Sequence, residues 1–201
     1  TDNGESWQAT EISESTSKIM SIDSIMFAVT SENGIYISYN NGENWEHKDF
    51  LVDNIYTFAI KDDIIFAGTN NGVYSSTNNG FTWKNIGFEG NRVRSISVNQ
   101  DKIIIGNYPG GVYLSTNNGD TWENKSFVGT YVMALSSFGN TIIAGNYRDG
   151  LFISNDKGSS WQYIGLLGPS IFSVAMNEND IFVGFHNGIL HSSNNGEYNW
   201  T

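Results

Sequence analysis

Cysteine is absent from these 201 residues, which excludes a disulfide framework and thiolate metal ligation but leaves the compartment open. Proline is scarce, two residues against twenty-two glycines, the profile of many short strands joined by tight turns. No apolar run approaches the ~20 residues that span a bilayer; the longest, such as Ile103-Ile104-Ile105, have the length of a strand. Positive charge is short as well: ten Lys and Arg stand against twenty-one Asp and Glu, a net charge of −11. Such a surface repels phosphate backbones and anionic head groups, so nucleic acid and membrane insertion drop out as partners. No segment sustains a 3.6-residue apolar period, so helix content should be near zero. The opening Thr1-Asp2-Asn3-Gly4 is not a basic, apolar leader, which says nothing for or against export. A chain of this length can bury roughly 70% of its unfolded surface, and one compact domain over residues 1–201 is expected.

What the sequence has is a repeat. The frame Ser-x-Asn/Asp-x-Gly-x-x-Trp recurs at Ser38, Asn40, Gly42 and Trp45; at Ser76, Asn78, Gly80 and Trp83; at Ser115, Asn117, Gly119 and Trp122; and at Ser154, Asp156, Gly158 and Trp161. Asp2, Gly4 and Trp7 begin the series, and Ser192, Asn194, Gly196 and Trp200 end it with one extra residue before the Trp. The first five Trp residues are 38, 38, 39 and 39 residues apart. Turn chemistry explains the frame. The Asn or Asp side chain bonds backbone N–H groups further on, Gly supplies a positive φ, and Ser adds a second anchor. The Trp ring then packs on the hairpin. An Asn can make the same turn as an Asp with weaker hydrogen bonds.

Between these turns each unit carries four β-rich runs, as in Ile55–Ile60, Ile64–Gly68, Gly72–Ser76 and Trp83–Ile86. Four strands per ~40 residues is the signature of a propeller blade. One N-terminal outer strand after Trp7, four whole units and three final strands (Ile171–Met176, Asp180–Gly184, Gly188–Ser192) make five blades of four, and the first strand could complete the last blade. Because both ends carry the turn motif, a fragment of a six- to eight-bladed ring is the alternative.

The motif resembles the Asp-box, or bacterial neuraminidase repeat, over essentially the whole chain. Families sharing it include sialidases, xyloglucan-cleaving hydrolases, sortilin-type receptors and photosystem II assembly factors. The resemblance implies an all-β propeller of four-stranded antiparallel blades.

Function is expected on the rim formed by the loops between second and third strands and by the entries to the inner strands; the repeat turns are expected to be structural. Three rim loops carry a ring before their glycine: Tyr108, Tyr147 and His186. Such rings stack on sugars or fill partner pockets, or simply cover the channel mouth. The inner strands open with Asn54 and Tyr56, Arg92 and Arg94, Tyr131 and Met133, and Ser170 and Phe172. Arg92 and Arg94, two apart on a strand, would point the same way and clamp a carboxylate or sulfate, or else neutralise acids such as Glu89. Lys18 and Arg148 are further rim cations.

An enzyme is the weaker reading. The resemblance implies that a sialidase grips its substrate with three arginines and cuts with a tyrosine, a glutamate and an aspartate, generally after an Arg-Ile-Pro segment; this chain has three arginines and no such segment. A glycosidase needs two carboxylates about 5–10 Å apart, and Glu32, Asp53, Glu89 and Asp149 fall on different blades. Repeats of this length leave no loop for a lid, and His47, His186 and His191 are too scattered for zinc. No metal or cofactor is implied. The sequence points to a non-catalytic binding or scaffolding propeller, extracellular, periplasmic or on the cell surface, recognising a protein or glycan as a monomer or within a larger assembly. A hydrolase fragment and a purely structural module are the alternatives.

Overall fold

The computed structural model describes residue 5 and residues 10–22, 24–30, 34–49, 54–125, 127, 131–168 and 170–193. They form nineteen strands in five antiparallel sheets, with no helix among them. The first blade is β1 (Thr16–Ile22), β2 (Ile25–Thr30), β3 (Gly34–Ser38) and β4 (Glu46–Asp49). The second is β5 (Ile55–Lys61), β6 (Ile64–Thr69), β7 (Gly72–Ser76) and β8 (Lys84–Gly87). The third is β9 (Arg92–Asn99), β10 (Lys102–Tyr108), β11 (Gly111–Ser115) and β12 (Glu123–Asn124), and the fourth β13 (Val132–Phe138), β14 (Thr141–Asn146), β15 (Leu151–Ser154) and β16 (Gln162–Gly165). The fifth has three described strands, β17 (Ile171–Met176), β18 (Ile181–Phe185) and β19 (Gly188–Ser192). Strand order follows chain order in every blade, and the chain is a β-propeller of five blades. The N-terminal strand expected to complete the last blade falls partly on residues 6–9, outside the described residues; residues 10–15 form no strand.

Second strands such as Ile103-Ile104-Ile105 are apolar at every position because a blade is covered on both faces. All three residues are buried, the pattern of strands sandwiched between layers. The core is accordingly four successive interfaces. Phe27, Ile35 and Ile37 pack on Ile55, Ile65 and Ala67 of the second blade. Phe66 and Val73 pack on Val93, Ile96, Ile103 and Ile105 of the third. Ile104, Val112 and Leu114 meet Val132, Leu135 and Ile142 of the fourth, and Ile143, Leu151 and Ile153 meet Ile171, Ile181 and Val183 of the fifth. Second-strand glycines permit the close approach: a Cβ on Gly106 would strike Val132, and one on Gly145 would strike Ile171.

Each repeat turn joins a third strand to its fourth, at the end of the blade opposite the rim loops. Its bonding repeats four times. The Ser Oγ accepts from the Gly N–H, at 2.8 Å for Ser38 and Gly42, 2.9 Å for Ser76 and Gly80, 2.9 Å for Ser115 and Gly119, and 2.7 Å for Ser154 and Gly158. The same hydroxyl donates to Asn40, Asn78, Asn117 or Asp156, whose oxygen also accepts the N–H of Asn44, Thr82, Thr121 or Ser160. Asp156 makes the shortest of these bonds, 2.8 Å to the Ser160 N–H and 2.6 Å to its hydroxyl. Donation by Ser160 holds its carboxyl at about 2. The residue before each glycine, Asn41, Asn79, Asn118 or Lys157, is also left-handed, at φ 55–60°, so each turn places two successive residues in that region and not the glycine alone. The rings of Trp45, Trp83, Trp122 and Trp161 are half-buried. Trp45 and Trp83 donate to the carbonyls of Gly42 and Gly80 in their own turns, whereas Trp122 and Trp161 reach back to the preceding blade, to Ile86 and Lys125. Asp2, Gly4, Trp7, Asn194, Gly196 and Trp200 lie outside the described residues.

Candidate functional site

One local irregularity recurs in every inner strand and shapes the rim. Thr69 pairs with Ile55 and Gly68 with Thr57, so Tyr56 has no partner across the ladder. The same β-bulge leaves Arg94 between Val93 and Ser95, Met133 between Val132 and Ala134, Phe172 between Ile171 and Ser173, and residue 17 between Thr16 and Lys18. An extra residue breaks the two-residue alternation and re-aims its side chain. The expectation that Arg92 and Arg94 share one face of a regular strand is thereby corrected. Arg92 pairs with Tyr108 and is exposed, while Arg94 is the half-buried bulge residue.

Arg94 is directed into an aromatic ribbon. Its guanidinium lies 4.1 Å from the Tyr56 ring centroid and 5.8 Å from that of Tyr131. Tyr131 in turn stands 4.5 Å from Tyr108 and 5.6 Å from Tyr147, and Arg148 covers Tyr147 at 5.0 Å. Six sequence-nominated residues from the second, third and fourth blades thus form one stack. The Tyr147 N–H donates to the Tyr131 carbonyl at 3.0 Å, fixing the loop beside the entry to β13. Arg148 holds φ at 70°, a left-handed conformation that costs a non-glycine residue roughly 1–2 kcal/mol. Tyr108 and Tyr147 are each 40% exposed. His186 occupies the corresponding place in the fifth blade and is exposed, but no ring contact joins it to the stack.

The charge arrangement singles out the same surface. Lys48, Lys61, Lys102 and Lys125 each pair with a carboxylate one or two residues away, on Glu46, Asp62, Asp101 and Glu123. Among the described residues none of the three arginines forms an ion pair, and Glu89 makes no contact pair with Arg92 or Arg94. Cation–π stacking holds Arg94 and Arg148 while leaving their charge uncompensated. Buried polar atoms without a partner gather here too: Arg94 Nε, Asn70 Oδ1, Asn107 Oδ1 and both polar atoms of the Asn146 amide. Asn107 and Asn146 were not nominated from sequence; the signal was the repeated Gly-Asn-Tyr at 106–108 and 145–147. Among the described residues no three His, Asp or Glu side chains gather as metal ligands. His191 bonds Asp180 at 2.8 Å and stacks on Phe182. Glu32 and Asp53 lie outside the described residues.

No protein-family model matches the chain, and no curated protein matches it in sequence. Solved structures match its fold. The extracellular domain of BT4673 from B. thetaiotaomicron superposes with a TM-score of 0.77 at 16% identity, over 93% of this chain and 28% of that one. An ancestral GH74 enzyme gives 0.75 at 19% identity, over 92% and 30%. YCF48 from Cyanidioschyzon merolae gives 0.69 at 16% identity, over 100% and 75%, and YCF48 bound to D1 peptide is matched as well, at 0.72 and 14% over 96% and 70%. The chain spans less than a third of the first two. These likenesses place it among β-propellers that include both glycoside hydrolases and a peptide-binding protein.

Proposed function

We propose that this propeller is a non-catalytic binding module of the Asp-box kind, exported or at the cell surface, that holds a protein segment or glycan on the rim of its second to fourth blades. The observation that carries the reading is the continuous stack from Tyr56 through Arg94, Tyr131 and Tyr147 to Arg148. Its arginines are left without carboxylate partners in a chain of net charge −11. Tyr and Arg are the side chains that dominate binding energy at interfaces, because each combines a large rigid contact area with directed donors. The stack contains no carboxylate, which disfavours a two-carboxylate hydrolase. That some propellers of similar fold are hydrolases and another binds a peptide leaves the chemistry to the rim residues, since fold alone does not decide function.

The test is a binding screen with acidic peptides and with neutral and uronate-bearing oligosaccharides, read by thermal shift and tyrosine fluorescence. A ligand that stabilises the native chain should bind about tenfold more weakly to Tyr131→Ala and to Arg94→Ala. Phe138→Ala, at the opposite end of the fourth blade, should bind normally. Equal losses in all three variants would remove the rim from the account. Turnover of chromogenic glycosides would bring the hydrolase reading forward.

A further inference from the structure

The four interfaces between blades bury the same forward-facing positions, and among the described residues none covers the equivalent face of the fifth blade. In the fourth blade Ile143 and Leu151 point forward onto the next blade; they and their counterparts in the first three blades are at most 1% exposed. By ladder register, Phe182 and Ile189 are the corresponding residues of the fifth blade, yet they are 43% and 74% exposed. The glycine notch is open as well. Gly68, Gly106 and Gly145 each receive the residue just before the bulge of the next inner strand, Val93, Val132 and Ile171, whereas the nearest neighbours of a Cβ on Gly184 are atoms of Ser173 in its own blade.

We infer that the forward face of the fifth blade is a docking face for a further blade of this same repeat on the same polypeptide, one with Val or Ile just before the bulge of its inner strand. Continuity with the four existing interfaces supports this occupant. The outer strand of each complete blade also leads directly into the inner strand of the next, so a covalently joined blade reaches the face without crossing the sheet. The first blade, whether of this chain or of a second copy, fits less well. Just before its bulge it has Thr16 where the others have Ile55, Val93, Val132 and Ile171. Val and Thr are not equivalent in a core, because the hydroxyl needs a partner. The rear of that blade is also already engaged: Tyr36 donates to Glu14 at 3.1 Å, which sets residues 10–15 against it. The His191–Asp180 pair on the fifth blade can be buried under a new blade without losing its hydrogen bond.

The absence of cysteine makes thiol labelling a direct test. Ile189→Cys would be labelled in the 201-residue chain and in a chain extended after Ser192 by a copy of residues 155–192, which supplies an outer strand and a following inner strand. A second extension would copy residues 116–154, whose inner strand opens with Val132. Leu151→Cys reports folding, staying slow to label in every folded version. Labelling of Ile189→Cys slowed about tenfold or more by either extension is the expected result, with fast labelling restored when the appended residue corresponding to Ile171 or Val132 is Asp. Unchanged labelling in both extended chains, with Leu151→Cys still protected, would overturn the inference. So would slow labelling of the unextended chain that accelerates on dilution, because a second copy would then own the face.

Discussion

The two ends of each blade are opposites. At the repeat-turn end, four copies of one bonding scheme satisfy each Ser hydroxyl and Asn or Asp side-chain oxygen within the turn itself. At the rim the loops differ from blade to blade, and buried polar atoms of Arg94, Asn107 and Asn146 find no partner. The difference separates what holds the blades from what they present: local hydrogen bonds that every blade needs are repeated, while the rim loops vary from blade to blade and leave those buried polar atoms unpartnered.

The contrast is broken most directly by exchanging damage between the ends. Trp161→Ala, losing the ring and its bond to the Lys125 carbonyl in the neighbouring blade, should lower unfolding free energy in urea by about 3 kcal/mol. Tyr147→Ala, on the exposed rim, should change it by less than about 1 kcal/mol. Ser115→Ala leaves the buried Gly119 N–H unsatisfied and should cost about 1–3 kcal/mol. At the rim the sign should reverse. Arg148→Gly relieves a left-handed residue and is expected to raise stability by up to about 1 kcal/mol while weakening any rim ligand. Asn146→Leu replaces a fully buried amide without partners, and melting should show no loss of stability.

The smallest effect sharpens the comparison among the turns. The Asp156 carboxyl is held at about 2 in the folded chain, below its unfolded value of about 3.9. Its contribution to stability is therefore fully present above about pH 4 and is lost as pH falls through about 2. Asn40, Asn78 and Asn117 do not titrate. Asp156→Asn should flatten that part of the acid limb in a stability-versus-pH series, and an unchanged limb would assign it to other carboxylates.

Much of this was legible beforehand. Five blades, the strand limits near Ile55–Ile60 and Gly188–Ser192, and the turn bonding of Ser154 and Asp156 all followed from a period of 38–39 residues and from turn chemistry confined to a few neighbouring residues. Six of the eight rim residues read from the sequence come together in one stack while Arg92 and His186 stay outside it, and the geometry of the arginine pair was not legible, because Arg92 and Arg94 were placed on a regular strand. A bulge is a register event between two strands, and spacing along one strand does not contain it. Asn107 and Asn146 were passed over because nothing in an isolated Gly-Asn-Tyr tells whether the amide will find a partner.

The sequence by itself determined the repeat, the succession of strands and the Ser, Gly and Asn or Asp bonding within the four described repeat turns, because those turn bonds close within eight residues. The tertiary structure alone decided that Tyr56, Arg94 and Tyr131 stack across three blades, and that Ile189 stands exposed where Leu151 is buried. Both outcomes depend on which residues a neighbouring blade supplies, and a residue's own flanking sequence carries no record of that.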